Sequence, residues 1–197
     1  MNVSRETFPK LAAFEELLRQ WSLRINLVSR GDLEALWPRH IADSAQLHAI
    51  APSAKTWLDF GSGAGFPGLI CAILAADAGA KTEFTLVESD ARKCAFLREA
   101  SRQLEVPVTI ETARVENIPP QLYDVISARA VAPLSKLLRL AYPFCGPSTT
   151  CLFPKGSRVE SELTEAATAW HTTVERLASR TDSGASILKI TDIAPRP

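Results

Sequence analysis

Asp59-Phe60-Gly61-Ser62-Gly63-Ala64-Gly65-Phe66-Pro67-Gly68 (DFGSGAGFPG) decides the fold. A short apolar run, residues 55–60 (KTWLDF), leads into it, and an Ala/Leu/Ile-rich stretch, residues 66–79, leads out. A strand that ends in glycines and turns at once into a helix opens a βαβ unit. Glycines at such a turn allow positive φ and let the backbone approach a ligand without a Cβ clash. The helix start aims its amide end at the same spot. In open α/β sheets the ligand crevice lies at the carboxyl ends of the strands.

Downstream the alternation continues. Strands are expected at residues 82–88, 106–113, 123–127 and 149–153, and helices at 91–104, 131–141 and 159–170. Two late strands, 173–178 and 186–193, are separated only by a turn-like stretch containing Gly184. That spacing predicts a mostly parallel sheet covered on both faces, with one antiparallel strand contributed by a terminal hairpin. Upstream, Leu11, Phe14, Leu18, Trp21 and Ile25 recur at helical steps, and Pro9 suits the first helical position. A second helix is expected over 33–50, with Asp32 as its N-cap, before Pro52 and Ser53 punctuate the chain. The expected division is a helical extension, residues 1–54, on a Rossmann-like α/β domain, residues 55–197, forming one structural unit.

Composition limits what the fold can be used for. The 197 residues carry 22 Lys+Arg against 22 Asp+Glu, so the formal charge is zero, which argues against a polybasic protein that binds by neutralising phosphates. A local basic patch stays open. Cys71, Cys94, Cys145 and Cys151 form no C-x-x-C pair, and His40, His48 and His171 add no zinc spacing. Four reduced thiols, no apolar leader and no membrane-length run fit a cytoplasmic protein with no metal and no membrane partner.

Two ligand classes compete for the glycine loop. Gly63, Gly65 and Gly68 satisfy G-x-G-x-x-G, and Glu88 follows twenty residues later, as in dinucleotide binding. Against a pyrophosphate, Asp59 puts a carboxylate near the strand end and Pro67 removes an N–H donor from the helix start. S-adenosylmethionine fits better. Its sulfonium and ammonium tolerate a carboxylate, and Glu88 can accept from both ribose hydroxyls. The site chemistry therefore puts Asp59, Gly63 and Glu88 at the cofactor.

The same loop, with four further stretches in order, resembles the bacterial 16S rRNA guanine-N7 methyltransferase G family, also called glucose-inhibited division protein B. The stretches are Asn26-Leu27-Val28-Ser29, Arg39-His40-Ile41-Ala42-Asp43-Ser44, Ala113-Arg114-Val115-Glu116 and Ser127-Ala128-Arg129-Ala130. The resemblance implies a class I S-adenosylmethionine-dependent methyltransferase fold with strand order 3-2-1-4-5-7-6. It implies methylation of a guanine N7 in the decoding-region loop of 16S rRNA (guanine 527 in standard rRNA numbering), within the 30S subunit. Carried onto this chain, it places cofactor contacts at Gly61, Phe66, Val115, Glu116 and Arg129.

Guanine N7 carries a lone pair and no proton, so its methylation needs alignment and desolvation rather than a general base or a covalent nucleophile. The chain agrees by omission: no [ND]-P-P-[YFW] box follows the fourth strand, and Cys145 and Cys151 stand in packing contexts. Arg129, Arg39 and His40 are the candidates for positioning the RNA, with Lys155 at the same sheet edge. Asp43 reads as a structural partner of Arg39 or His40, and Trp37 is the one tryptophan placed to stack a base. The rivals are a class I methyltransferase of another substrate, a nicotinamide oxidoreductase, and a non-catalytic RNA-binding module. The partner expected is 16S rRNA in the 30S subunit, not DNA, and the chain is expected to be a monomer. Thermal denaturation distinguishes the cofactors: S-adenosylmethionine should raise the melting temperature and NAD should not, whereas stabilisation by NAD alone refutes the assignment.

Overall fold

In the computed structural model, which describes residues 7–197, seven strands form one sheet in the order β3-β2-β1-β4-β5-β7-β6. The strands are β1 (Thr56–Phe60), β2 (Glu83–Glu88), β3 (Thr109–Thr112), β4 (Tyr123–Ser127), β5 (Cys145–Lys155), β6 (Trp170–Ala178) and β7 (Ser186–Pro195). The first five pair in parallel, and β7 runs antiparallel to both β5 and β6. The order reverses between β1 and β4, which opens a crevice beyond the carboxyl ends of those two strands. No helix among the described residues is long and apolar enough to cross a membrane.

Side-chain alternation along the strands sends neighbours to opposite layers. Trp57, Phe84, Leu86, Val125 and Leu152 face a layer that includes α4 (Gly68–Asp77) and α5 (Ala91–Leu104). Leu58, Phe60, Ile126, Cys151 and Phe153 face α6 (Leu134–Ala141) and α7 (Val159–Ala169). Helix α5 follows its sequence pattern closely. Asp90 caps it by accepting from the Arg92 amide at 2.8 Å, and Phe96, Leu97, Ala100 and Leu104 are buried.

The N-terminal helices lie outside the first layer. Helix α1 (Thr7–Ser22) buries Leu11, Phe14, Leu17 and Leu18 and packs on α4 and α5. Phe14 meets Phe66 edge-on at 5.6 Å, so α1 touches the glycine loop itself. Pro9 lies two residues inside α1 as described from Thr7, rather than at its first position.

The expected single helix over 33–50 is three pieces: α2 (Arg30–Glu34), a π-helical turn (Trp37–Ile41) and α3 (Ala42–Ile50). Pro38 is the cause, because proline cannot donate and its ring collides with the preceding turn. The backbone responds with a wider turn, and the Ala42 amide bonds to Trp37 O. Ser29, not Asp32, caps α2. Its Oγ accepts from the Asp32 amide at 3.2 Å and donates to Asp32 Oδ2 at 2.6 Å. Strand β3 starts later than expected because the Val106 amide bonds back to Ser101 O and Pro107 cannot donate. Helix α6 starts after Pro133, leaving residues 128–133 as a loop over the crevice.

Gly68 is where α4 comes closest to the sheet. A Cβ there would stand 2.5 Å from Leu86 Cδ2 and 2.6 Å from Asp59 Cβ. Gly68→Ala should lower unfolding stability by about 1–3 kcal/mol through overpacking. Gly156→Ala, with nothing within 4 Å of its Cβ, should change it by less than about 0.5 kcal/mol. Urea denaturation of the two variants checks the contrast.

Candidate functional site

The glycine loop is fastened to the end of β2. The Gly61 and Ser62 amides bond to Val87 O at 2.8 and 3.2 Å, and the Gly63 amide donates to Glu88 Oε2 at 3.0 Å. Gly61, Gly63 and Gly65 all have positive φ. Glu88 Oε1 accepts from the Asp90 amide at 2.8 Å. Each carboxylate oxygen therefore holds one backbone donor and keeps acceptor capacity for another.

Beside Glu88 lies a cavity of about 150 Å³, lined also by Gly61, Ala113, Val115 and Glu116. Val131, from the loop after β4, closes one side of it, and its Cγ2 takes the space that a Cβ on Gly61 would fill. Gly61, Glu88, Val115 and Glu116 thus line one cavity, and Gly63 joins them through its amide bond to Glu88. An acceptor-only carboxylate at a small, Gly-floored cavity suits a ribose and an adenine ring. The start of α4 is short of one donor for a phosphate, since Pro67 stands at its N-cap.

Asp59 and Phe66 are placed differently. Asp59 is fully buried between β1 and α4, and Ser127 Oγ donates to its Oδ1 at 2.6 Å. Burial pushes its carboxyl up to about 6, against the opposing effect of the Ser127 hydrogen bond. Its carboxylate lies beneath the crevice rather than along it. Phe66 is also buried, packed against Phe14 and against the His40 ring at 5.1 Å, with the Arg129 guanidinium 5.1 Å over its face. The aromatic inside the glycine loop joins that loop to the N-terminal helices.

Arg129 gathers these segments. Its Nη2 lies 2.7 Å from His40 Nδ1, and its Nη1 reaches Arg39 O at 3.4 Å and Asp43 Oδ2 at 3.8 Å. An arginine can only donate, so Nδ1 is the acceptor and the His40 proton sits on Nε2. That nitrogen is 3.3 Å from Asp32 Oδ1 but poorly aligned, making the contact electrostatic rather than a full hydrogen bond. Asp43 Oδ1 accepts from Thr181 Oγ1 at 3.0 Å and Ser179 Oγ at 3.3 Å, so the β6–β7 hairpin tip docks on α3. Arg39 is different: its side chain is 66% exposed and only loosely paired with Asp32, so it points outward.

The structure brings Arg129 and Asp43 together with Lys155 around a second cavity of about 450 Å³. Glu162, from α7, lines it too and carried no distinguishing sequence mark among Glu160, Glu162 and Glu165. Val131 borders both cavities. Trp37 is not free to stack a base: it lies on Phe8 at 5.2 Å, and its Nε1 donates to Glu15. Cys71, Cys94 and Cys151 are buried, Cys145 is half-buried, and none lines either cavity.

A family model described as rRNA small subunit methyltransferase G matches residues 7–187. A relative of that name from Gluconobacter oxydans (strain 621H) is 50% identical over 190 residues, covering 96% of each chain. Another, from Rhodospirillum centenum (strain ATCC 51521 / SW), is 49% identical over 98% of this chain and 88% of its own. Among solved structures, a putative O-methyltransferase from Klebsiella pneumoniae superposes with TM-score 0.62 at 16% identity, over 93% of this chain and 90% of its own. The N-methyltransferase NodS from Bradyrhizobium japonicum WM9, solved with S-adenosyl-L-homocysteine, gives 0.58 at 12% identity, over 90% and 97%. These superpositions identify the class I methyltransferase fold.

Burial, and then the Arg129 charge, hold the His40 imidazole below its ordinary 6.5. The folded protein therefore prefers neutral His40. That contribution is complete above pH 6.5 and is lost as pH falls from there through the folded-state value. Asp59 runs the other way: its contribution is complete below 3.8 and is lost as pH rises through about 6. A variant comparison separates the two. Between pH 7.5 and 5, His40→Gln should lose less melting temperature than the unsubstituted protein, and parallel curves would refute the assignment.

Proposed function

The chain belongs to the rRNA small subunit methyltransferase G family, and from that premise we propose that it transfers a methyl group from S-adenosylmethionine to N7 of a guanine in 16S rRNA, with the 30S subunit as substrate. The observation that carries this reading is the pair of cavities meeting at Val131. One has the Glu88 carboxylate, an acceptor suited to a ribose. The other has arginine, lysine and carboxylate groups suited to a nucleotide.

The bound cofactor supplies an electrophilic methyl on a sulfonium, and the chain's residues supply position. Glu88, Gly61 and Gly63 would hold the ribose side, and Val115 and Glu116 the adenine side. Arg129 is a positioning residue: committed to His40, Arg39 O and Asp43, it fixes the loop after β4 over the crevice. Arg39, exposed at the rim, is placed to meet phosphate. N7 carries a lone pair and no proton, so accepting the methyl that the cofactor would supply would call for no base and no enzyme nucleophile, and the absence of a cysteine from both cavities is consistent with this. Excluding water and aligning the two atoms are the main tasks left to the protein.

The test uses 30S subunits lacking the modification, labelled cofactor and nucleoside analysis. Label in 7-methylguanosine of 16S rRNA is expected. Cofactor binding without that product assigns another substrate. Arg129→Ala should lower kcat/KM beyond what its loss of stability explains, and Glu88→Ala should abolish cofactor binding by calorimetry. Proportional loss of activity and stability in Arg129→Ala would make that residue purely structural.

A further inference from the structure

One charged pair in the larger cavity has a function that loop support does not exhaust. Lys155, on β5, and Glu162, on α7, are both largely buried, with side chains 8% and 15% exposed. Lys155 Nζ donates to Ala132 O at 2.9 Å and to Glu162 Oε2 at 2.7 Å. The Leu134 amide donates to the same Oε2 at 2.8 Å. These bonds hold the loop after β4 in place, including Ala130 with its positive φ. They use two of the three ammonium protons and one of the two carboxylate oxygens. Among the described residues, Glu162 Oε1 takes no hydrogen bond, and Lys155 has no third acceptor.

A buried pair thus offers one spare donor beside one spare acceptor in a cavity of about 450 Å³, the size of pockets that hold small ligands. Guanine presents the complement along one edge: O6 accepts and the adjacent N1–H donates. Adenine presents the reverse, an amino donor beside an acceptor nitrogen. Cytosine repeats adenine's order. Enzymes that modify a base take it out of the stack and read its Watson–Crick edge.

Resting on the reading given under Proposed function, we propose that Lys155 and Glu162 are the guanine-recognition pair, with Lys155 Nζ donating to O6 and Glu162 Oε1 accepting from N1–H. Gripping that edge leaves N7, on the other side of O6, free of protein donors. The pair also acts on the rate. As N7 takes the methyl, the purine ring becomes cationic and N1–H becomes a stronger donor. The carboxylate therefore holds the transition state more tightly than the ground state. The Arg129 charge, which would oppose this, is offset by Asp43, Asp59 and Asp32 around it.

Glu162→Gln isolates the recognition role. The amide oxygen can still take the Leu134 and Lys155 bonds, while the spare acceptor becomes an N–H donor pointed at N1–H. Expected is a fall of roughly 10- to 100-fold in kcat/KM on 30S subunits, the size of one lost base-edge contact, with kcat reduced as well as KM raised. Cofactor affinity should stay close to that of the unsubstituted protein. The melting temperature should fall, because Lys155 keeps its hydrogen bonds but loses its buried counter-charge, so activity is compared well below both melting temperatures. Activity within threefold overturns the proposal, as does a loss that the unfolded fraction or cofactor affinity accounts for. A second arm needs no variant. In subunits reconstituted with a single replacement at the target, inosine, which keeps O6 and N1–H, should be methylated, and 1-methylguanosine should not. Equal methylation of 1-methylguanosine and guanosine overturns the recognition claim alone. Absence of any 7-methylguanosine with unmodified subunits overturns the functional reading and, with it, this one.

Discussion

A single guanidinium stacked on an aromatic ring holds the site together. Arg129 sits over Phe66, so the loop after β4 is bound to the glycine loop after β1. Its nitrogens reach His40 and Arg39 O, so both loops are bound to the π-helical turn. Taking an arginine out of water costs several kcal/mol, and only partners of opposite sign make that tolerable. Asp43, Asp59 and Asp32 supply them. Removing one charge of such a buried set costs about 3–5 kcal/mol because the others are left uncompensated. The same contacts explain why the N-terminal helices belong to the site as much as to the core. Phe14, Phe66 and Arg129 form one continuous line of contacts from α1 to the crevice, edge-on and then face-on.

Much of the fold was legible because strand and helix periods differ. Helix α5 and strand β4 begin and end where their apolar patterns do, and the glycine loop lies where a strand running into a helix demands it. The parts that were not legible depended on hydrogen bonds that no periodicity encodes. Pro38 lies inside an apolar pattern that reads as one helix, and its effect was to widen a turn rather than to end the element. Ser29 and Asp32 are both good caps, and only the geometry shows that the first accepts from the second's amide.

The site divides in the same way. Glu88 was legible from site chemistry and Gly61, Val115 and Glu116 from the resemblance, and the fold brings these four to one cavity because it brings strand ends together. Asp59 and Phe66 stand in the same motif, yet burial turns both inward, one under α4 and the other against α1. Glu162 had no sequence mark at all. Its role follows from which face of α7 meets β5, a property of packing. The zero net charge reads differently beside this arrangement. Arg129 and Lys155 are already paired beside the larger cavity, while Arg39 at the rim and Arg158, Arg114 and Lys136 along the two cavities are exposed. With no net charge behind them, these placed cations favour recognition of shape and base edge over long-range attraction to phosphate.

The hairpin tip that docks on α3 has a consequence for how the molecule comes into being. Asp43 is joined to Thr181 across 138 residues and to Ser179 across 136. Contacts this distant in sequence raise contact order and slow the search for the native topology. They also make the order of synthesis matter, because the amino-terminal half emerges first and waits for its carboxyl-terminal partner. Until β6 and β7 exist, Asp43 lacks the Thr181 and Ser179 hydroxyls that orient it. The orientation of the carboxylate that faces Arg129 is therefore set by the last strands to be made, long after the glycine loop has been synthesised.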